Sequence, residues 1–136
     1  LIDKVLSKFN RYDLNFPNLI ANNASFDPKF NKIGRGNIIT AGTIFTVDID
    51  IGSFNIFNLN CTIGHDTIIG SGNVFNPGTN ISGEVNIGDG NLFGTNSTVL
   101  DEILIGSGNI IGASALVNKN IEHKETRVGV PAKRIK

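Results

Sequence analysis

Every sixth residue from Ile33 to Val117 is Ile, Val or Phe. The series runs Ile33, Ile39, Phe45, Ile51, Phe57, Ile63, Ile69, Phe75, Ile81, Ile87, Phe93, Val99, Ile105, Ile111, Val117, fifteen hexads without an insertion. A helix brings every third or fourth residue to one face and a strand every second. A strict period of six fits neither a free-standing helix nor a hairpin sheet. It is the pattern of a parallel β-helix built from hexapeptide repeats.

A second period supports the first. Ile33-Gly-Arg-Gly-Asn37, Ile51-Gly-Ser-Phe-Asn55, Ile69-Gly-Ser-Gly-Asn73, Ile87-Gly-Asp-Gly-Asn91 and Ile105-Gly-Ser-Gly-Asn109 recur every 18 residues. Three hexads therefore make one triangular coil, and residues 18 apart stack at the sheet spacing of about 4.8 Å. The apolar residue opening each hexad points inward. So does the fifth, which is mostly small: Thr43, Cys61, Thr67, Thr79, Val85, Ser97, Ala115. Glycines at the second and fourth positions suit corners, where positive φ or close backbone approach is required. The column Asn37, Asn55, Asn73, Asn91, Asn109 is polar yet interior by this phase. Pairing as an amide ladder is the structural solution, because unpaired amides in an apolar interior are costly.

The 136 residues need only one domain. Residues 1–19 read as a short helix followed by a linker, with Leu1, Ile2, Val5, Leu6 and Phe9 on one helical face. Residues 20–122 read as the β-helix, about five to six coils, with Ile20 and Phe26 as two early hexad starts before a one-residue slip at Lys32. Residues 123–136 read as an extended capping tail, since an open last coil would expose unpaired strand edges. The sequence opens on Leu1 and has no Met, so the expectation is a fragment whose helix ends a preceding domain.

No stretch approaches a membrane-spanning helix and no signal-peptide pattern is present, so no membrane insertion is expected. The single Cys61 falls on an inward small position and reads as a structural thiol, which fits a reducing, cytoplasmic compartment. Net charge is zero, but unevenly spread. Between residues 36 and 118 there is no Lys or Arg, and there are seven acids. The last eighteen residues hold six bases: Lys119, Lys124, Arg127, Lys133, Arg134 and Lys136. A nucleic-acid groove along the coils does not fit this pattern. The basic tail either solubilises the chain or faces a phosphate-bearing ligand.

Chemistry falls to few residues. His65 occupies the third, outward position of its hexad, in the column Val47, His65, Gly83, Asp101, Lys119. Neutral imidazole is available near neutral pH, so His65 is the candidate general base. Gly83 in the next coil clears space beside it for a chain-like ligand. Asp66 follows in the acidic column Asp48, Asp66, Glu84, Glu102, Asn120. Either it belongs to a solvated acidic edge, or it orients and charges His65 as the imidazole takes a proton.

The run Phe57-Asn-Leu-Asn-Cys-Thr-Ile-Gly-His65-Asp66, the following Ile69-Gly-Ser-Gly-Asn73, and the terminal Val128-Gly-Val-Pro-Ala-Lys-Arg-Ile135 resemble the NeuD/PglD-type sugar acetyltransferases of the hexapeptide-repeat superfamily. Phe16-Pro-Asn-Leu-Ile20 is similar to that family's entry into its first coil. The resemblance implies an all-β, left-handed parallel β-helix. It also implies a homotrimer with acetyl-CoA bound between subunits, and a small-molecule sugar acceptor. By the same resemblance, His65 is the base and Asp66 its acid partner. Asn58 matches a substrate-binding asparagine, and Gly83, Thr95 and Ala113 match coenzyme contacts. Val74 stands where some members carry a coenzyme-contacting histidine. Lys119 and Lys133, the latter in the closing Pro131-Ala132-Lys133 motif, are expected to face the coenzyme phosphates. The acceptor, an amino sugar, nucleotide-linked sugar or sialic acid, stays open, as does O- against N-acetylation.

Two rival readings share the scaffold. A γ-carbonic-anhydrase-like enzyme needs three histidines on one metal, and this chain has only His65 and His123, so no metal is expected. A structural or regulatory solenoid is the non-enzymatic alternative.

Overall fold

The computed structural model describes residues 2–9, 12 and 14–136. Leu1 and Asn10 of the expected helix, and Arg11 and Asp13 of the expected linker, lie outside the described residues. A short helix, Ile2–Phe9, precedes a left-handed parallel β-solenoid of about six turns. Nearly every strand is two residues long, because each hexad spends its other four residues turning a corner.

Three faces result. The Phe57 face stacks Leu19–Ile20, Ile38–Ile39, Ile56–Phe57, Val74–Phe75, Leu92–Phe93 and Ile110–Ile111 in parallel. The Ile63 face runs from Ile44–Phe45 to Leu116–Val117, and the Ile69 face from Lys32–Ile33 to Leu104–Ile105. Within the hexad run, register partners are 18 residues apart, as in Ile63 with Ile81. Below the run, Ile20 pairs with Ile39, a separation of nineteen. That is the one-residue slip before Lys32.

The inward residues fill the prism. Phe57, Phe75 and Phe93 are fully buried, and their rings stack with centroids 4.7 Å apart. That distance is the sheet spacing, so the backbone ladder itself sets the aromatic column. The asparagine ladder forms as expected and is longer than its 18-residue period indicates. Each backbone N–H of Asn37, Asn55, Asn73, Asn91 and Asn109 donates to the Oδ1 one coil below at 2.8 Å, starting from Asn18. The ladder ends at Glu125, whose N–H donates to Asn109 Oδ1.

Corners are built by backbone chemistry. A Cβ on Gly52 would sit 2.6 Å from Gly70 O, so close coil stacking at that corner requires glycine. The tail closes the C-terminal end. Thr126–Val128 adds in parallel to Ile110–Ile111, and Lys133–Arg134 folds back antiparallel upon it. The final edge is thereby short and carries Lys133 and Arg134, both exposed.

Candidate active site

His65 lies at the corner between the Ile63 and Ile69 faces, between strands Thr62–Ile63 and Ile68–Ile69. Its side chain is about half exposed. Its carbonyl accepts the N–H of Glu84 at 2.8 Å, which fixes the corner to the next coil. Asp66 adopts φ 55°, in the left-handed region. In extended backbone, successive side chains point to opposite sides. The left-handed turn instead lets neighbours converge, and His65 Nδ1 lies 2.8 Å from Asp66 Oδ2. The acid beside the histidine is therefore its partner, not merely part of an acidic edge.

The hydrogen bond to Asp66 raises the His65 pKa above its ordinary value, and the fields of Asp66, Glu84 and Asp101 act in the same direction. When Asp66 accepts the Nδ1 proton, neutral imidazole carries its lone pair on Nε2. Nε2 has no hydrogen-bond partner among the described residues, and the side chain as a whole is about half exposed.

Gly83 stands beside His65, one coil above it. A Cβ there would fall 2.7 Å from both Cε1 and Nε2 of His65. The imidazole itself occupies the space that glycine leaves. The backbone of Gly83 is engaged as well: its N–H donates to Asp101 Oδ1 at 3.1 Å, and its carbonyl accepts the N–H of Glu102. Gly83 therefore seats the imidazole, and its N–H is not free to hold an oxyanion.

The remaining expected residues fall into two groups. Asn58, Thr95 and Ala113 lie at the corner between the Phe57 and Ile63 faces, one full face away from His65 within the chain. Thr95 and Ala113 occupy one exposed column, with Thr95 O accepting the Ser114 N–H. Lys119 is in His65's own column, three coils above. It lines a cavity of about 370 Å³ together with Lys133, Arg127 and Arg134. Val74 lies on the outer surface of the Phe57 face and is partly buried.

Cys61 is fully buried, and burial pushes its thiol up to about 11, which leaves it no role as a nucleophile. His123 is at a third corner, where its Nδ1 accepts the Ser107 N–H at 2.9 Å. Among the described residues no three His, Cys, Asp or Glu side chains converge on one point. A cavity of about 420 Å³ lies on the Ile69 face and reaches His123. Neither of these cavities includes His65, which stands on an open corner rather than in an enclosed pocket.

No protein-family model and no curated protein sequence matches the chain. Solved structures do. A variant of perosamine N-acetyltransferase from Caulobacter crescentus, in complex with CoA and GDP-perosamine, superposes with a TM-score of 0.94 at 25% identity, over 98% of this chain and 63% of that one. The acetyltransferase domain of PglB from Neisseria gonorrhoeae, in complex with acetyl coenzyme A, gives 0.92 at 26% identity, over 98% and 64%. WeeI from Acinetobacter baumannii gives 0.92 at 27%, over 98% and 65%. The chain has the fold of the hexapeptide-repeat sugar acetyltransferases.

It spans a little under two thirds of the length of these three proteins. Within the acetyltransferase fold, the His65–Asp66 corner is legible in the sequence and Glu125 is not. The carboxylate of Glu125 is buried and pairs with Arg127 Nε at 2.7 Å. Its only sequence signal is a polar residue 16, not 18, positions beyond Asn109.

Proposed function

We propose that this chain is the acyl-transfer part of an acetyl-CoA-dependent sugar acetyltransferase, working by direct transfer with His65 as general base. The observation that carries this reading is the His65–Asp66 pair. A 2.8 Å contact at Nδ1 leaves Nε2 unpartnered on an exposed corner. His65 Nε2 accepts the proton that an acceptor amine or hydroxyl loses as it attacks the thioester carbonyl carbon. The C–S bond breaks, and the imidazolium returns that proton to the departing thiolate. Asp66 holds the ring in the required tautomer and stabilises its charged form. The bound CoA and acetyl-CoA of the matched acetyltransferases support the donor. So does the gathering of Lys119 and Lys133 around one cavity beside the His65 column, above a stretch from residue 36 to residue 118 that carries no Lys or Arg.

The site is shared between subunits of a homotrimer. His65 and Gly83 occupy one corner of the prism, and Asn58, Thr95 and Ala113 another. A cyclic, head-to-tail contact sets the first corner of one subunit against the second corner of its neighbour. The Phe57 face supplies the surface for it: its outward residues Leu19, Ile38, Ile56, Val74, Leu92 and Ile110 form an aliphatic column through six coils, with Leu19, Ile38, Leu92 and Ile110 exposed. The acceptor is a small amino sugar, nucleotide-linked sugar or sialic acid. Its class is read by the outward residues near this groove and by parts of the protein beyond this chain. Among the described residues no helix is long and apolar enough to cross a membrane; the one buried free thiol fits the proposed reducing, cytoplasmic setting.

The test is acetyl-CoA turnover by the full-length protein against a panel of amino sugars, nucleotide sugars and sialic acids. Turnover with at least one panel member, lost in His65→Ala, is expected. Saturable acetyl-CoA binding with no acceptor consumed, or turnover indifferent to His65, overturns the reading.

A further inference from the structure

The C-terminal tail does more than close the last coil. Glu125 stands at the end of the asparagine column, its N–H on Asn109 Oδ1 and its side chain only 5% exposed. A carboxylate this deeply buried requires cationic partners. Oε2 accepts from Arg127 Nε at 2.7 Å, and Oε1 lies 3.5 Å from Arg134 Nη1. Arg127 and Arg134 are register partners across the closing hairpin, so one carboxylate holds both guanidiniums on the same side of it.

Both arginines line the cavity of about 370 Å³ that also receives Lys119 and Lys133. Glu125 neutralises one of these four positive charges and uses one N–H-bearing nitrogen from each arginine. On Arg127 both Nη groups remain for a second anion, in the planar fork that matches a phosphate. The cavity adjoins the His65 column through Lys119. Lys119 is three coils above His65 in the same column, about 14 Å at the sheet spacing. A ligand whose reactive end sits at His65 and which runs along the prism axis reaches these cations with its far end.

We propose that Glu125 positions an arginine clamp, Arg127 with Arg134, that reads the terminal phosphomonoester at the nucleotide end of coenzyme A. This rests on the acetyl-CoA reading above and adds a selectivity to it. Lys119 and Lys133 supply charge to any phosphate, whereas the clamp distinguishes coenzyme A from its dephospho form.

Calorimetry on the full-length protein tests it, with coenzyme A and dephospho-coenzyme A as titrants at low and high salt. Wild type is expected to prefer coenzyme A by roughly tenfold, the scale of one charge-assisted hydrogen bond. In Arg134→Ala that preference collapses toward parity, while affinity for the dephospho form barely moves. Arg134 is largely exposed, so this variant keeps the fold. Glu125→Gln should lose the same preference, with thermal melting as the check on packing. His65→Ala should retain it. An unchanged preference in Arg134→Ala overturns the clamp and leaves the acetyl-CoA reading standing. Failure of wild type to bind either titrant overturns the acetyl-CoA reading itself.

Discussion

At the residue scale, the catalytic argument depends on which nitrogen of His65 is free. Asp66 occupies Nδ1, so reactivity falls to Nε2. His65→Ala removes the base without removing core volume, since the side chain is half exposed. Turnover should fall about 10²–10⁴-fold with an unchanged melt; a residual rate above about a tenth of wild type would exclude the role. The sign of the pH effect follows from the Asp66 bond. That bond raises the His65 pKa, and the neutral form is the base, so the acidic limb of kcat/KM is expected above the ordinary histidine value. Asp66→Asn removes the carboxylate's hold on the imidazolium. The limb should move to lower pH even as the maximal rate drops, by less than in His65→Ala. An unmoved limb would mean that Asp66 does not act through His65. Gly83→Ala probes the seat of the ring. Its Cβ would lie 2.7 Å from Cε1 and Nε2, so the imidazole must swing away or the coil must shift. We expect a large fall in kcat with little change in thermal stability, because the displaced group is exposed. A variant with wild-type kcat would show that the ring needs no fixed seat.

At the element scale, polar ladders hold the coils in register beside the apolar core. Asn73 Oδ1 accepts both the N–H and the Nδ2 of Asn91, at 2.8 and 3.0 Å, in a fully buried setting. Asn73→Ala strands two buried donors, at roughly 1–3 kcal/mol each. Denaturant melts should show a loss of about 2–6 kcal/mol on the same basis. At the neighbouring corner, Ser71 Oγ accepts the Ser53 N–H at 3.0 Å. There Ser71→Ala should lose under about 1 kcal/mol, because water can replace the hydroxyl. Equal losses at the two sites would show that burial does not set the value of these ladders. Both ladders repeat every 18 residues, which is why the asparagine column and the corners are legible from spacing alone. Their ends are not. Glu125 follows Asn109 by 16 residues and His123 follows Ser107 by 16, because the tail cuts two residues from the last coil. A period search passes over both. The contact of His65 with Asp66 is likewise invisible in spacing, since it depends on the left-handed φ that Asp66 adopts at this corner. The role of Gly83 is legible as a column neighbour of His65, but its engaged N–H and carbonyl depend on Asp101 and Glu102, one coil further on.

At the scale of the whole molecule, the unmet requirement is a cover for the Phe57 face. Its outward column is aliphatic from Leu19 to Ile110, whereas the Ile63 face sets Thr62, Asn80 and Thr98 between Ile44 and Leu116, and the Ile69 face mixes Lys32, Asp50 and Asn86 with Ile68 and Leu104. A contiguous apolar stripe of that length marks an interaction surface rather than a solvated one. The corner opposite it in the triangular section carries His65, so a head-to-tail contact between copies joins two different surfaces. In the proposed homotrimer three prisms close such a contact into a ring, and His65 of each subunit would meet the corner bearing Asn58, Thr95 and Ala113 of the next. We therefore expect a trimer by light scattering at micromolar concentration. Leu92→Glu places a charge in the middle of the stripe without touching the core, because Leu92 points outward and is 39% exposed. The variant should be a monomer with a retained β-solenoid spectrum, and it should lose turnover even though His65, Asp66 and Gly83 remain intact within each chain. The decisive measurement pairs mass with activity. A monomeric Leu92→Glu protein with full turnover would place the entire site within one subunit, and a wild-type protein that is itself a monomer would remove the shared site altogether.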